Sequence, residues 1–144
     1  KYVAPVDHMR FLLERTSGLD RLRAYPAFAE VSPDLVDAVL QGAATFAGEV
    51  LAPLNEVGDR QGAKLTTDGV HAPAGFSEAY RRFVDNGWPA LAGSPGYGGQ
   101  GMPFLLSAAV AEMWAAANLA FALCPELGLG AVEALGGTPD PEPW

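Results

Sequence analysis

The residues Gly96-Tyr97-Gly98-Gly99-Gln100-Gly101 follow the spacing G-x-G-x-x-G, with which a dinucleotide-binding loop brings its backbone against a pyrophosphate. That chemistry needs a strand ahead of the loop, a helix opening on its last glycine, and an acidic residue about 20 positions on. The residues ahead of the motif read instead as a helix followed by a Trp88-Pro89 loop. No βαβ unit can be drawn around it, and a nicotinamide site here would require a strand ending near Gly93.

Other reactive centres are hard to assemble. His8 and His71 stand apart, without a carboxylate or cysteine at ligand spacing, so no metal site is expected. Ser94 and Ser107 have no general base close in sequence. Glu112 and Glu126 lie among apolar residues, where a buried glutamate can be a general base or a structural residue. For Glu126, beside Pro125, the helix-cap role is the expected one. Cys124, the one cysteine, is flanked by Leu123 and Pro125 and reads as a small buried hydrophobe rather than a nucleophile. A disulfide framework is excluded, and a reducing, cytoplasmic compartment fits. No catalytic residue is assigned on this chain.

The composition places these groups in one folded domain. At 144 residues the chain can bury a core, and with 49% hydrophobic and 18% charged residues it is not a disordered sequence. The formal charge of −8 opposes binding to nucleic acid or an anionic membrane, both polyanions. Lys1-Tyr2-Val3-Ala4-Pro5 lacks the layout of a signal peptide. The apolar run from Ala108 to Leu123 is interrupted by Glu112 and Asn118, so no membrane span is expected.

The elements that would position any site are helices. A short one is expected over residues 5–15, with Met9, Phe11, Leu12 and Leu13 as its apolar cover. Residues 17–31 read as a connection with a short helical turn. Ser32 is an N-cap, Pro33 suits the first helical position, and Leu35, Val36, Val39, Leu40, Ala43, Phe46 and Ala47 then recur at spacings of three and four. That stripe continues through Val50, Leu51 and Leu54 to an expected end at Pro53 and Asn55, and Gly42 and Gly48 inside it are expected to admit close neighbours. Residues 55–75 read as turn-rich, with a short extended piece around Thr66–His71. A third helix spans about 76–87, with Phe76, Tyr80, Phe83 and Val84 on one face and Asn86-Gly87 as its stop.

From Gly87 to Gly101, six of fifteen residues are glycine and two are proline, which predicts a shaped loop. Pro103 then opens a core helix, apolar on all sides, to about Leu123, and Pro125 starts a shorter one through Leu135. The tail from Gly136 to Trp144, with Pro139, Pro141 and Pro143, reads as a linker or truncated end. The fold expected is all-α: an up-and-down bundle of four to five helices over residues 1–135.

In this order the motifs resemble a family. Gly87-Trp88-x-x-Leu91, Pro95-x-Tyr97-Gly98-Gly99-x-Gly101 and a helix carrying Ala111-Glu112-Met113 look like the N-terminal helical domain of the acyl-CoA dehydrogenases. Upstream, Tyr2-x-Ala4-Pro5, Met9-Arg10-Phe11 and Pro53-Leu54-Asn55-x-x-Gly58-Asp59-x-x-Gly62 resemble the larger members, including those acting on 3-methylmercaptopropionyl-CoA.

The resemblance implies a three-part flavoprotein: this domain, a middle β-domain and a C-terminal helical bundle, with FAD mainly between the last two. A glutamate of the C-terminal part removes the α-proton of the acyl-CoA, the flavin takes the β-hydride, and an electron-transfer flavoprotein receives the electrons. Matching along the core helices puts Phe121, Ala122, Pro125 and Leu129 where members of the family line the acyl chain. The same four residues could equally be core packing. A homo-oligomer is expected, and the chain alone is expected neither to hold FAD tightly nor to turn over substrate. The rival expectation is a stand-alone helical interaction module, or a partner subunit completing a flavoprotein.

Overall fold

A computed structural model describes residues 1–136 and shows an all-α helical bundle with one small hairpin. Helices α1 (Val6–Phe11) and α2 (Leu19–Leu22) are short. They precede α3 (Pro33–Phe46), α4 (Ala52–Gln61), α5 (Phe76–Asp85) and α6 (Phe104–Gly136). Strands β1 (Lys64–Thr66) and β2 (Gly69–His71) pair antiparallel between α4 and α5, with Leu65 opposite Val70. The expected linker lies outside the described residues, apart from Gly136, which ends α6.

Helix α3 begins as its sequence requires. The Ser32 hydroxyl accepts the Leu35 N–H at 3.2 Å, Pro33 needs no partner in the first turn, and Asp34 faces the positive end of the dipole. Val36, Leu40, Ala43, Phe46 and Ala47 are buried along one stripe, as the periodicity predicts.

The expected end at Pro53 is corrected, because the helix runs on to Gln61. Residues Ala47–Leu51 form a π-helical turn in which the Ala52 N–H reaches back five residues to the Ala47 carbonyl. The wider turn gives room to the Pro53 ring, and proline's missing N–H is harmless in the first turn of α4. Residues 55–61 are therefore helical rather than turn-rich. A second π turn, Leu12–Thr16, extends α1. Phe11 and Leu12 are exposed there, so the cover of the first helix comes from Met9 and Leu13, joined by the half-buried Val6.

The core lies where α3, the π turn and α4 all pack along α6. An aromatic group fills it: Trp114 stands edge-on to Phe46 at 5.4 Å, to Phe83 at 5.9 Å and to Trp88 at 5.2 Å. Such T-shaped pairs are each worth about 0.5–1.5 kcal/mol beyond burial. The Trp88 ring packs over Gly42, where an added methyl group would lie 3.5 Å from it. A methyl at Gly48 would meet the Tyr2 carbonyl at 3.4 Å, so at both positions an alanine would make ordinary contact and neither neighbour needs a glycine. Arg10 bonds Asp7 at 3.0 Å and also Asp37, tying α1 to α3.

Three further expectations about the helices are corrected. Tyr80 and Val84 are exposed, and the inner face of α5 is Phe76, Ala79 and Phe83. Helix α6 is not buried on all sides: Phe104, Leu119, Leu123, Leu127, Val132 and Leu135 are exposed. Both Pro33–Gln61 and Phe104–Gly136 are long and apolar enough to cross a membrane by length and composition, with 39% of each apolar window buried inside the protein. Finally, α6 changes direction at Asn118 (φ −161°, ψ 90°) and not at Pro125.

The reason for that last difference is a pair of buried hydrogen bonds. Asn118 Oδ1 accepts the Phe121 N–H at 3.0 Å, which makes Asn118 the N-cap of the second half of α6. Its Nδ2 donates to the Leu51 carbonyl at 3.2 Å, in the π turn of the neighbouring helix. Both long helices therefore depart from regular geometry at the same level, and one side chain joins the two irregularities.

Candidate functional site

A cavity of about 690 Å³ opens on one side of this junction. Its walls come from α4 (Gly58), α5 (Phe76, Ser77, Tyr80) and α6 (Ala120, Phe121, Cys124). Val70 of β2 and the following Ala72-Pro73 form the roof. The rings of Phe76 and Tyr80 each lie 6.4 Å from Phe121, and Phe121 in turn stands edge-on to Phe83 at 5.7 Å. The cap from Asn118 fixes the Phe121 backbone, so the break in α6 aims this ring between α5 and the cavity.

Gly58 leaves room for the Phe76 ring in the same arrangement. A methyl group there would lie 2.9 Å from Phe76 Cζ. The Phe76 ring can tilt toward open space, so Gly58→Ala is expected to cost no more than about 1 kcal/mol, offset in part by better helix propensity. The ring should move into the cavity and narrow it. Thermal unfolding together with an NMR aromatic contact map checks both effects.

No lining residue is charged, and the polar groups at the walls are the hydroxyls of Ser77 and Tyr80 and the thiol of Cys124. The site can hold an apolar group and orient it by one or two hydrogen bonds, but it carries no general base. Just outside, Asp68 accepts from the Thr66 hydroxyl and contacts His71 Nε2 at 3.3 Å. These contacts, the Thr66 bond first, hold the Asp68 carboxyl below its ordinary range. The base of the hairpin is closed by Gln61 Oε1, which accepts the Ala74 N–H at 3.0 Å.

The reactive residues considered from the sequence do not converge. Glu112 and Glu126 are both exposed, which corrects the apolar setting expected for them. Cys124 is exposed at the cavity edge, not a buried hydrophobe. Ser94 and Ser107 bond no histidine or carboxylate, and no group of three metal-ligating side chains occurs, among the described residues.

The glycine loop is likewise turned inward. No strand precedes it; residues Trp88–Ala90 and Pro95–Tyr97 are 3₁₀ turns. From Tyr97 to Met102 every backbone N–H donates to a carbonyl between Ala90 and Pro95, including Gln100 to Ala90 at 2.8 Å and Gly101 to Gly93 at 2.9 Å. A pyrophosphate needs those donors free. The loop therefore does not fit a dinucleotide, whether nicotinamide or flavin.

No protein-family model matches the chain. A 3-methylmercaptopropionyl-CoA dehydrogenase of Ruegeria pomeroyi is 38% identical over 137 residues, which is 95% of this chain and 23% of that protein. The chain resembles one part of an acyl-CoA dehydrogenase. It spans about a quarter of the length of that relative.

The four residues that the acyl-CoA dehydrogenase resemblance singles out are placed differently from one another. Phe121 borders the cavity. Ala122 and Pro125 are buried, and Leu129, one turn further, is half-buried; none of these three lines the cavity. Sequence reasoning missed Asn118, Gly58, Tyr80 and the hairpin residues as parts of one site. Asn118 did carry a signal, being the lone amide in the largely apolar run from Ala108 to Leu123.

Proposed function

We propose that this chain is the helical part of a flavin-dependent acyl-CoA dehydrogenase that introduces an α,β double bond into an acyl-CoA thioester. The observation that carries the reading is the 38% identity to such an enzyme along 95% of the chain. Its role is an apolar wall of the acyl pocket, built on the second half of α6 by Phe121, Ala122, Pro125 and Leu129. The buried Asn118 cap supports this role, because it fixes the direction in which those residues are presented. FAD enters as the cofactor of the whole enzyme, and none of the described residues is proposed to hold it or to act as the α-proton base. Electron-transfer flavoprotein is the proposed electron acceptor, in a cytoplasmic homo-oligomer.

Mixing the purified chain with FAD and an acyl-CoA series tests the division of labour. The expected result is a colourless protein without turnover. A stable yellow protein that bleaches on adding substrate would overturn it.

A second reading, a partner subunit that completes a flavoprotein on another chain, is favoured by the exposed row Leu119, Leu123, Leu127 on α6. Residues at i, i+4 and i+8 form one apolar stripe that a further polypeptide could cover. A pull-down from the source organism separates the readings, because only this one expects a separate chain that itself carries the acyl-CoA dehydrogenase activity, as distinct from the electron-accepting flavoprotein.

A further inference from the structure

The cavity beneath the hairpin is largely separate from the wall proposed for the acyl pocket, since only Phe121 is common to both. We propose that it is a binding site in its own right for an uncharged aliphatic chain. The inference does not depend on the dehydrogenase reading, because every wall belongs to this chain.

Three observations support it. The volume, about 690 Å³, lies within the range of small-molecule sites. The lining has three aromatic rings and no charged side chain, so an ionised head group would find no counter-ion there. The few polar groups, Ser77 and Tyr80 hydroxyls and the Cys124 thiol, suit one neutral carbonyl or hydroxyl. An inserted peptide segment is a poorer fit, because its backbone N–H and C=O groups outnumber the partners on offer.

The roof gives a reason for the odd surface of the hairpin. Leu65 and Val70 pair across the strands yet are 83% and 71% exposed. A lone two-stranded hairpin is marginal in water and gains stability by packing an apolar face. A chain lying in the cavity supplies such a surface directly beneath Val70.

Cys124, unique in the chain and exposed at the rim, is a ready reporter. With an alkyl methanethiosulfonate its thiolate attacks the sulfenyl sulfur, forming a mixed disulfide and releasing methanesulfinate. The measurement is the labelling rate with the hexyl reagent relative to the methyl reagent, with the urea-unfolded chain as reference. Burial of five additional methylenes, even partial, should raise the folded ratio at least about tenfold over the unfolded one. Val70→Glu, a change at an exposed roof position, should bring the ratio back toward the unfolded value while circular dichroism stays unchanged.

Equal ratios in folded and unfolded chains would overturn the proposal, as would an undiminished ratio in Val70→Glu. So would slow labelling by both reagents that accelerates on dilution, which would mean that a second polypeptide occupies the cavity.

Discussion

Gly99→Ala is expected to cost about 3 kcal/mol or more, the most damaging single methyl that can be added between Gly87 and Gly101. The new Cβ would lie 2.0 Å from both the carbonyl carbon and oxygen of Gly93. Nothing flexible stands at that crossing, since both partners are backbone. Relief would require the loop to open, breaking Gly101 N–H to Gly93 and Gln100 N–H to Ala90. Gly98→Ala is the internal control. Its φ of +83° disfavours a side chain, but no atom lies within 4 Å of the new methyl. The left-handed conformation alone costs about 1–2 kcal/mol. Urea unfolding of the two variants should rank them in that order, and equal losses would show that close approach is not what the loop is built for.

The other large effect belongs to Asn118. Asn118→Ala removes the cap on Phe121 and the donor to Leu51 together, leaving the buried Phe121 N–H without its cap and the Leu51 carbonyl without its bond to the neighbouring helix. A loss of about 2–4 kcal/mol is expected. Asn118→Asp keeps the acceptor for the Phe121 N–H but turns a carboxylate oxygen toward the Leu51 carbonyl. The folded state then favours the protonated acid, so the folded pKa of that aspartate lies above its unfolded value. The penalty is complete above the folded pKa and shrinks as the pH falls through it, when the acid can donate to Leu51 again. Urea midpoints for both variants across pH check this. A flat profile for Asn118→Asp would mean that the Leu51 contact contributes nothing.

Both expectations concern places where close approach decides the structure, and these differ in how far they can be read ahead. The glycine density of Gly87–Gly101 marks a tight loop, because only glycine permits backbones to come so near. Which two parts of the loop touch follows from the fold, since Gly93 and Gly99 are six residues apart and meet only because the 3₁₀ turn Pro95–Tyr97 folds the chain back between them. The two helix breaks follow the same rule. Proline is the strongest local helix breaker, so Pro53 and Pro125 are the natural predicted boundaries. A π turn absorbs the first and the helix carries the second within it, because packing along the neighbouring helix outweighs the local preference.

The sequence by itself determined the helical class, the start of α3 at Ser32, the stop of α5 at Gly87 and the character of the glycine loop. Each follows from chemistry within a few residues: a capping hydroxyl, a stripe with helical period, a glycine that turns the chain. It also carried the resemblance to the acyl-CoA dehydrogenases, since ordered motifs survive where contacts cannot be seen. Only the tertiary structure decided that Glu112, Glu126 and Cys124 are exposed, that α6 bends at Asn118, and that α4, α5, α6 and the hairpin line one open cavity. Those outcomes depend on which faces meet. Asn118 and Leu51, 67 residues apart in sequence, share a hydrogen bond only because two long helices lie side by side.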